Sequence, residues 1–66
     1  MPSKRFARRL KQLRDQRGLT QAVLAKRAGV SRAYEARLEM GRHDPPLSRV
    51  QRLARALGVR TSRLVD

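Results

Sequence analysis

Residues 20–41 read TQAVLAKRAGVSRAYEARLEMG, and this stretch decides the fold. Thr20 and Ser31 are short hydroxyl side chains, suited to accept from the free amides at the start of a helix. Each precedes a run of helix-forming residues. Val23, Leu24, Ala25 and Ala28 form the apolar set of the first run, and the second run ends near Met40 before Gly41. Between the two runs lies Ala28-Gly29-Val30-Ser31. Gly29 accepts the left-handed backbone that ends a helix cheaply. Ala25 is small where the helices must approach, and Val30 is an apolar peg between them. A sharp turn, a small crossing residue and a peg are what a helix-turn-helix requires.

The flanks carry the same punctuation. Ser3 is a candidate N-cap for a segment that ends near Arg17, before Gly18. Phe6, Leu10 and Leu13 recur there at i, i+4 and i+7, with Ala7 beside them, an apolar stripe of helical period. After Asp44-Pro45-Pro46 comes a segment that ends at Gly58, with Leu47, Val50, Leu53, Ala54 and Leu57 as its stripe. The stretch from Arg60 to Asp66 predicts one further short helix with Leu64 and Val65 as its apolar pair. The fold class expected is all-α: a compact bundle of four to five short helices around a central helix-turn-helix. Its core is expected from Phe6, Leu10, Leu13, Leu24, Val30, Leu38, Leu47, Val50, Leu53 and Leu57. No repeat, linker or low-complexity tract interrupts the chain, so residues 1–66 read as one domain.

Sixty-six residues are enough for one domain with a thin core, since a chain this short buries only ~60% of the surface it exposes unfolded. Seventeen Lys and Arg against five Asp and Glu give a net charge of +12, which excludes an acidic activation domain and predicts affinity for polyanions. Arg outnumbers Lys by fourteen to three, a bias to which genomic base composition contributes, so the charge is not read wholly as contact surface. With no Cys and one His, neither a disulfide framework nor a metal cage is expected, and no cofactor. No apolar run approaches the ~18 residues of a membrane span, and MPSKRFARR lacks the apolar core of a signal peptide. A cytoplasmic protein is expected, with no membrane partner. No nucleophile–base pair, Gly-rich phosphate loop or metal spacing is present, so an enzyme is not expected. Two aromatic residues, Phe6 and Tyr34, are too few for a single-strand stacking platform.

The ordered set Gly18-Leu19-Thr20-Gln21, Leu24-Ala25, Gly29-Val30-Ser31, Leu38-Glu39, Gly41-Arg42, Pro45, Leu47, Leu53-Ala54 and Ala56-Leu57-Gly58-Val59 resembles the Cro/C1 (Xre-type) helix-turn-helix family. The likeness covers roughly residues 6–65. That family includes phage repressors, restriction–modification controllers and many antitoxins. The resemblance implies a lambda-repressor-like five-helix bundle whose third helix lies in the major groove of double-stranded DNA. It implies that Arg32, Ala33, Tyr34 and Arg37 face the bases. Gln21, Ser31, Arg42 and His43 would hold phosphates. Arg14 and Glu39 match a charge pair that ties helix one to the end of helix three. The second helix's N-terminus favours an anion independently of the family, and Arg suits guanine because its parallel donors match O6 and N7.

One position departs from the pattern. Glu35 stands where the family has Ile or Val in its core, and a lone buried carboxylate is costly. Arg32 one turn back, or Arg14 from helix one, is expected to let it lean out and pair at the edge. A rotated or shortened helix three that leaves Glu35 solvated is the alternative.

These residues point to a DNA-binding transcription regulator, a repressor or controller that acts as a homodimer. Val59, Leu64 and Val65 are the candidate dimer interface, with bundle core as the competing use. Two rival readings were weighed. A membrane-active cationic peptide needs one long amphipathic helix, whereas this chain has several short capped ones. A protein adaptor or antitoxin with the same fold would present an apolar patch on helix three, where Arg32 and Arg37 stand instead.

Overall fold

Thr20 and Ser31 cap as their chemistry demands. The Thr20 hydroxyl accepts from the Val23 amide at 3.1 Å, and the Ser31 hydroxyl from the Tyr34 amide at 3.0 Å. These caps start α2 (Gln21–Ala28) and α3 (Arg32–Glu39). The turn between them is a Schellman closure. Gly29 takes φ 72°, its amide donates to Lys26 O, and the Val30 amide reaches back to Ala25 O at 3.0 Å. The computed structural model describes residues 3–65. The remaining elements are α1 (Ser3–Gln16), α4 (Leu47–Leu57) and α5 (Ser62–Val65), and every regular element among the described residues is helical. The expected short fifth helix is therefore present.

α3 packs against both α1 and α2, α4 closes over α2, and α5 seals the far end against α1 and α4. Phe6, Leu10, Leu13, Leu24, Leu38, Val50, Leu53, Leu57 and Leu64 form the buried cluster. Arginine side chains at the rim tie the layers together through backbone carbonyls. Arg17 Nε donates to Leu57 O at 2.8 Å, tying the end of α1 to the C-terminus of α4. Arg9 Nη1 donates to Arg63 O at 3.1 Å, tying α1 to α5.

Two core expectations need correction, and Leu64 takes the core use that competed with a dimer contact. Leu47 is 63% exposed: it is the first residue of α4, and the stripe turns inward only from Val50. Val30 is half-buried and packs on the edge of the core, as a turn residue must. Leu64 is fully buried. It is the residue through which α5 docks, so it is core and unavailable as a dimer contact. Val59 and Val65 are half-buried against the same cluster.

Candidate nucleic-acid interface

The cap at Ser31 orients α3 so that Leu38 points inward, while Arg32, Ala33 and Arg37 are exposed. The first turn of α3 opens onto a cleft of about 270 Å³ lined by Gly29, Val30, Ser31, Tyr34, Arg37, Arg49 and Arg52. The structure thus brings Ser31, Tyr34 and Arg37 together at one cleft. It adds two arginines from α4 that sequence reasoning missed. The signal for them existed: with Val50, Leu53 and Leu57 inward, Arg49 and Arg52 must face out. That α4 runs beside the start of α3 was not legible.

Tyr34 is half-buried, and its ring has two neighbours. The Arg49 guanidinium lies over it, 4.7 Å from the centroid, and the His43 ring sits tilted at 5.2 Å and 44°. His43 is half-buried by this contact, whereas Arg42 is exposed. Tyr34 therefore joins the α3–α4 loop to α4 and is not a free-standing groove residue.

Gln21 opens α2, where the helix dipole places partial positive charge. Its side chain is turned inward: Nε2 donates to Glu39 Oε1 at 3.3 Å. Glu39 is the hub of a polar network. Arg14 clasps it through Nε to Oε2 at 2.7 Å and Nη2 to Oε1 at 3.0 Å, and Arg14 Nη1 also donates to Leu19 O at 2.8 Å. The expected Arg14–Glu39 pair is present and nearly closed to solvent, with 11% and 4% of the two side chains exposed. Burial works to raise the Glu39 pKa, but the hydrogen bonds from Arg14 and its charge prevail and hold it below the usual carboxylate range. The same bond holds the Arg14 proton more tightly than usual.

Glu35 does not lean out. It is fully buried, and neither carboxyl oxygen receives a hydrogen bond from a protein donor. Both sequence expectations for it fail. Arg32 is exposed and makes no ion pair among the described residues, Arg14 is committed to Glu39, and α3 is not rotated to solvate the side chain. Burial, and next the nearby Glu39 carboxylate, push its pKa up to about 9, against a smaller opposing effect of Arg14. Both effects favour the protonated form of Glu35.

Among the described residues no group of acids and His could hold a metal ion, and no helix is long and apolar enough to cross a membrane.

Residues 5–66 match the model of a helix-turn-helix domain family. The chain is 44% identical over 57 residues to an immunity repressor protein of Bacillus phage phi105, covering 86% of this chain and 40% of that protein. It thus spans two fifths of the length of that relative. It is 47% identical over 49 residues to an uncharacterized HTH-type transcriptional regulator of Methanothermobacter thermautotrophicus, covering 74% of this chain and 71% of that one. The fold matches the crystal structure of the restriction-modification controller protein C.AhdI from Aeromonas hydrophila with a TM-score of 0.91 at 34% identity, over 94% of each chain. These findings agree with the resemblance read from residues 6–65. The chain belongs to the helix-turn-helix domain family.

Proposed function

We propose that this domain is a sequence-specific reader of double-stranded DNA, a repressor or controller that acts as a homodimer with α3 in the major groove. The observation that carries the reading is the exposed, cationic side of α3: Arg32, Ala33 and Arg37 stand free on a helix that is capped at its start and locked at its end through Glu39. Arg32 and Arg37 are suited to guanine edges, and Ala33 to a thymine methyl. Tyr34, engaged by Arg49 and His43, has only its hydroxyl to offer a base. Gln21, Ser31, Arg42 and His43 are the phosphate contacts of this reading, with Gln21 exchanging its bond to Glu39 for one to DNA. Arg42 is exposed and has no ion pair among the described residues.

The homodimer follows from size. A module whose longest dimension is 24 Å makes few specific contacts, and two-fold readers of this motif take half-sites about 34–36 Å apart. With Leu64 in the core, Val59 and Val65 remain as the apolar residues of the proposed interface. A mainly protein-binding adaptor is disfavoured, because the exposed positions of α3 carry Arg rather than an apolar patch.

The test is selection of bound duplexes from a random pool, followed by a salt titration on the selected sequence. A two-fold symmetric consensus is expected, with affinity falling roughly 10³–10⁵ between 50 and 200 mM salt if ~6–10 phosphates are neutralised. No enrichment, or a flat response to salt, would remove the reading.

A further inference from the structure

A second basic surface adjoins the α3 cleft. Lys26 and Arg27 at the end of α2 and Arg52 and Arg55 on α4 line an open groove of about 480 Å³, floored by Ala28, Gly29 and Ala56. All four cations are exposed, and none makes an ion pair among the described residues. No acid lines the groove. The acids among the described residues are occupied elsewhere: Glu35 and Glu39 lie inside, Asp15 pairs with Lys11 and Arg14, and Asp44 accepts from Ser3. Gly29 and Arg52 line both this groove and the cleft at the start of α3. The two are therefore one surface, continuous from Arg37 past Arg49 and Arg52 to Arg55 and Lys26.

We infer that this groove is a second phosphate track, which binds the sugar-phosphate backbone of the duplex flanking the segment that α3 reads. The inference rests on the DNA-reading function proposed above and extends its footprint. Four uncompensated cations with almost no apolar lining other than alanine fit a repeating anion rather than the apolar centre of a protein interface. Arginine and lysine in an open groove hold backbone oxygens without reading bases, so the track adds affinity and no sequence preference. The dimensions agree. The domain's 24 Å extent spans about seven base pairs at ~3.4 Å each. An eight-residue α3 is about 12 Å long. A few base pairs thus lie beyond the reach of α3 and within that of α2 and α4.

The experiment compares two duplexes, the selected sequence at minimal length and the same sequence with about ten further base pairs on each side. Three proteins are used: the parent, the double variant Arg52→Ala/Arg55→Ala, and Lys26→Ala/Arg27→Ala. All substitutions are at exposed positions, and an unchanged urea midpoint verifies the fold. The parent is expected to bind the longer duplex more tightly. Each double variant should lose that gain and keep the parent's base preference. Each should also show a salt slope lower by about two per protomer, or about four for the dimer, which makes the fall in affinity between 50 and 200 mM roughly a hundredfold smaller. A parent indifferent to flank length, with variants that keep its salt slope, overturns the track but leaves the α3 reading in place. That is also the result expected if the groove serves an acidic protein. A parent that binds no duplex removes both.

Discussion

Glu35 and Glu39 stand one turn apart on α3 and differ in their partners: Arg14 clasps Glu39, whereas neither carboxyl oxygen of the fully buried Glu35 has a hydrogen-bond partner. This arrangement explains how an acid is tolerated where an aliphatic residue fits the geometry. A proton on Glu35 removes the charge that burial would penalise. Glu39 accepts from Arg14 and Gln21, which joins α1, α2 and α3 at one point.

The arrangement has a pH signature. Glu35 titrates near 4.5 in an unfolded chain and about 9 in the fold. Between those values the folded state keeps a proton that the unfolded state has released, so rising pH favours unfolding, by up to about 1.4 kcal/mol per pH unit. The contribution is fully present below about 4.5 and lost by about 9. Glu39, whose folded pKa is depressed, runs the other way: its contribution is present above its unfolded pKa and lost as pH falls through the folded one. Stability should be greatest on the acid side of neutrality. In Glu35→Gln, a neutral mimic of the protonated acid, the decline between pH 5 and 9 should flatten. Urea unfolding of both proteins at pH 5, 7 and 8.5 measures it, and parallel profiles would show that Glu35 holds no extra proton.

Replacing the acid outright separates packing from protonation. Glu35→Ile puts an aliphatic side chain into a fully buried site and should raise stability at pH 7 by about 1–3 kcal/mol. Glu39 keeps its donors Arg14 and Gln21 in this variant. An unchanged or lower urea midpoint would mean that the buried acid carries no net desolvation cost.

Removing the cation should be far worse than removing the acid. Arg14→Ala leaves two buried carboxyl groups with no charge partner and frees the Leu19 carbonyl of its 2.8 Å donor. Breaking a buried pair in this way costs about 3–5 kcal/mol. Thermal unfolding at pH 7 is the measurement. The double variant Arg14→Met/Glu39→Met should recover most of the loss, because no uncompensated charge remains. A double variant no better than Arg14→Ala would locate the loss in packing.

Much of this was legible in the chain. The Thr20 and Ser31 caps, the Gly29 turn and the period of Phe6, Leu10 and Leu13 are local signals, and each marked an element that the structure contains. Arg14–Glu39 came from the family resemblance, since residues 25 apart share no local period. The misreadings and gaps were all tertiary. Leu47 continues the α4 stripe in sequence but stands on the first turn, before the helix reaches the core. Leu64 stayed open between interface and core because the docking of α5 on α1 cannot be seen from a four-residue segment. Arg49 was invisible as a neighbour of Tyr34, because the loop between Glu39 and Leu47 sets where α4 begins.

The core role of Leu64 gives a test at the C-terminus. Leu64→Ala should cost about 2–5 kcal/mol, as truncation of a fully buried leucine does. Val65→Ser, at a half-buried rim position, should alter stability little and weaken self-association if Val65 belongs to the dimer interface. Urea unfolding and sedimentation of the two variants distinguish core from interface. A Val65→Ser protein that associates as the parent does would move the interface away from α5.

The last prediction concerns the division of labour on the DNA-facing side. Arg32 and Arg37 are exposed on α3, whereas Arg42 lies past its end in the loop before α4. If the first two read bases and the third holds a phosphate, their alanine variants should fail differently. Arg32→Ala or Arg37→Ala should cost about 1–3 kcal/mol on the selected duplex and relax preference at one base position. Arg42→Ala should weaken all duplexes about equally and lower the salt slope by about one per protomer, or about two for the dimer. Tyr34→Phe supplies a control: it keeps the ring that Arg49 and His43 contact and removes only the hydroxyl. A change in base preference for Tyr34→Phe would assign that hydroxyl to readout. Binding-site selection on each variant is the measurement. Profiles for Arg32→Ala and Arg37→Ala indistinguishable from the parent's would show that DNA meets a different side of α3.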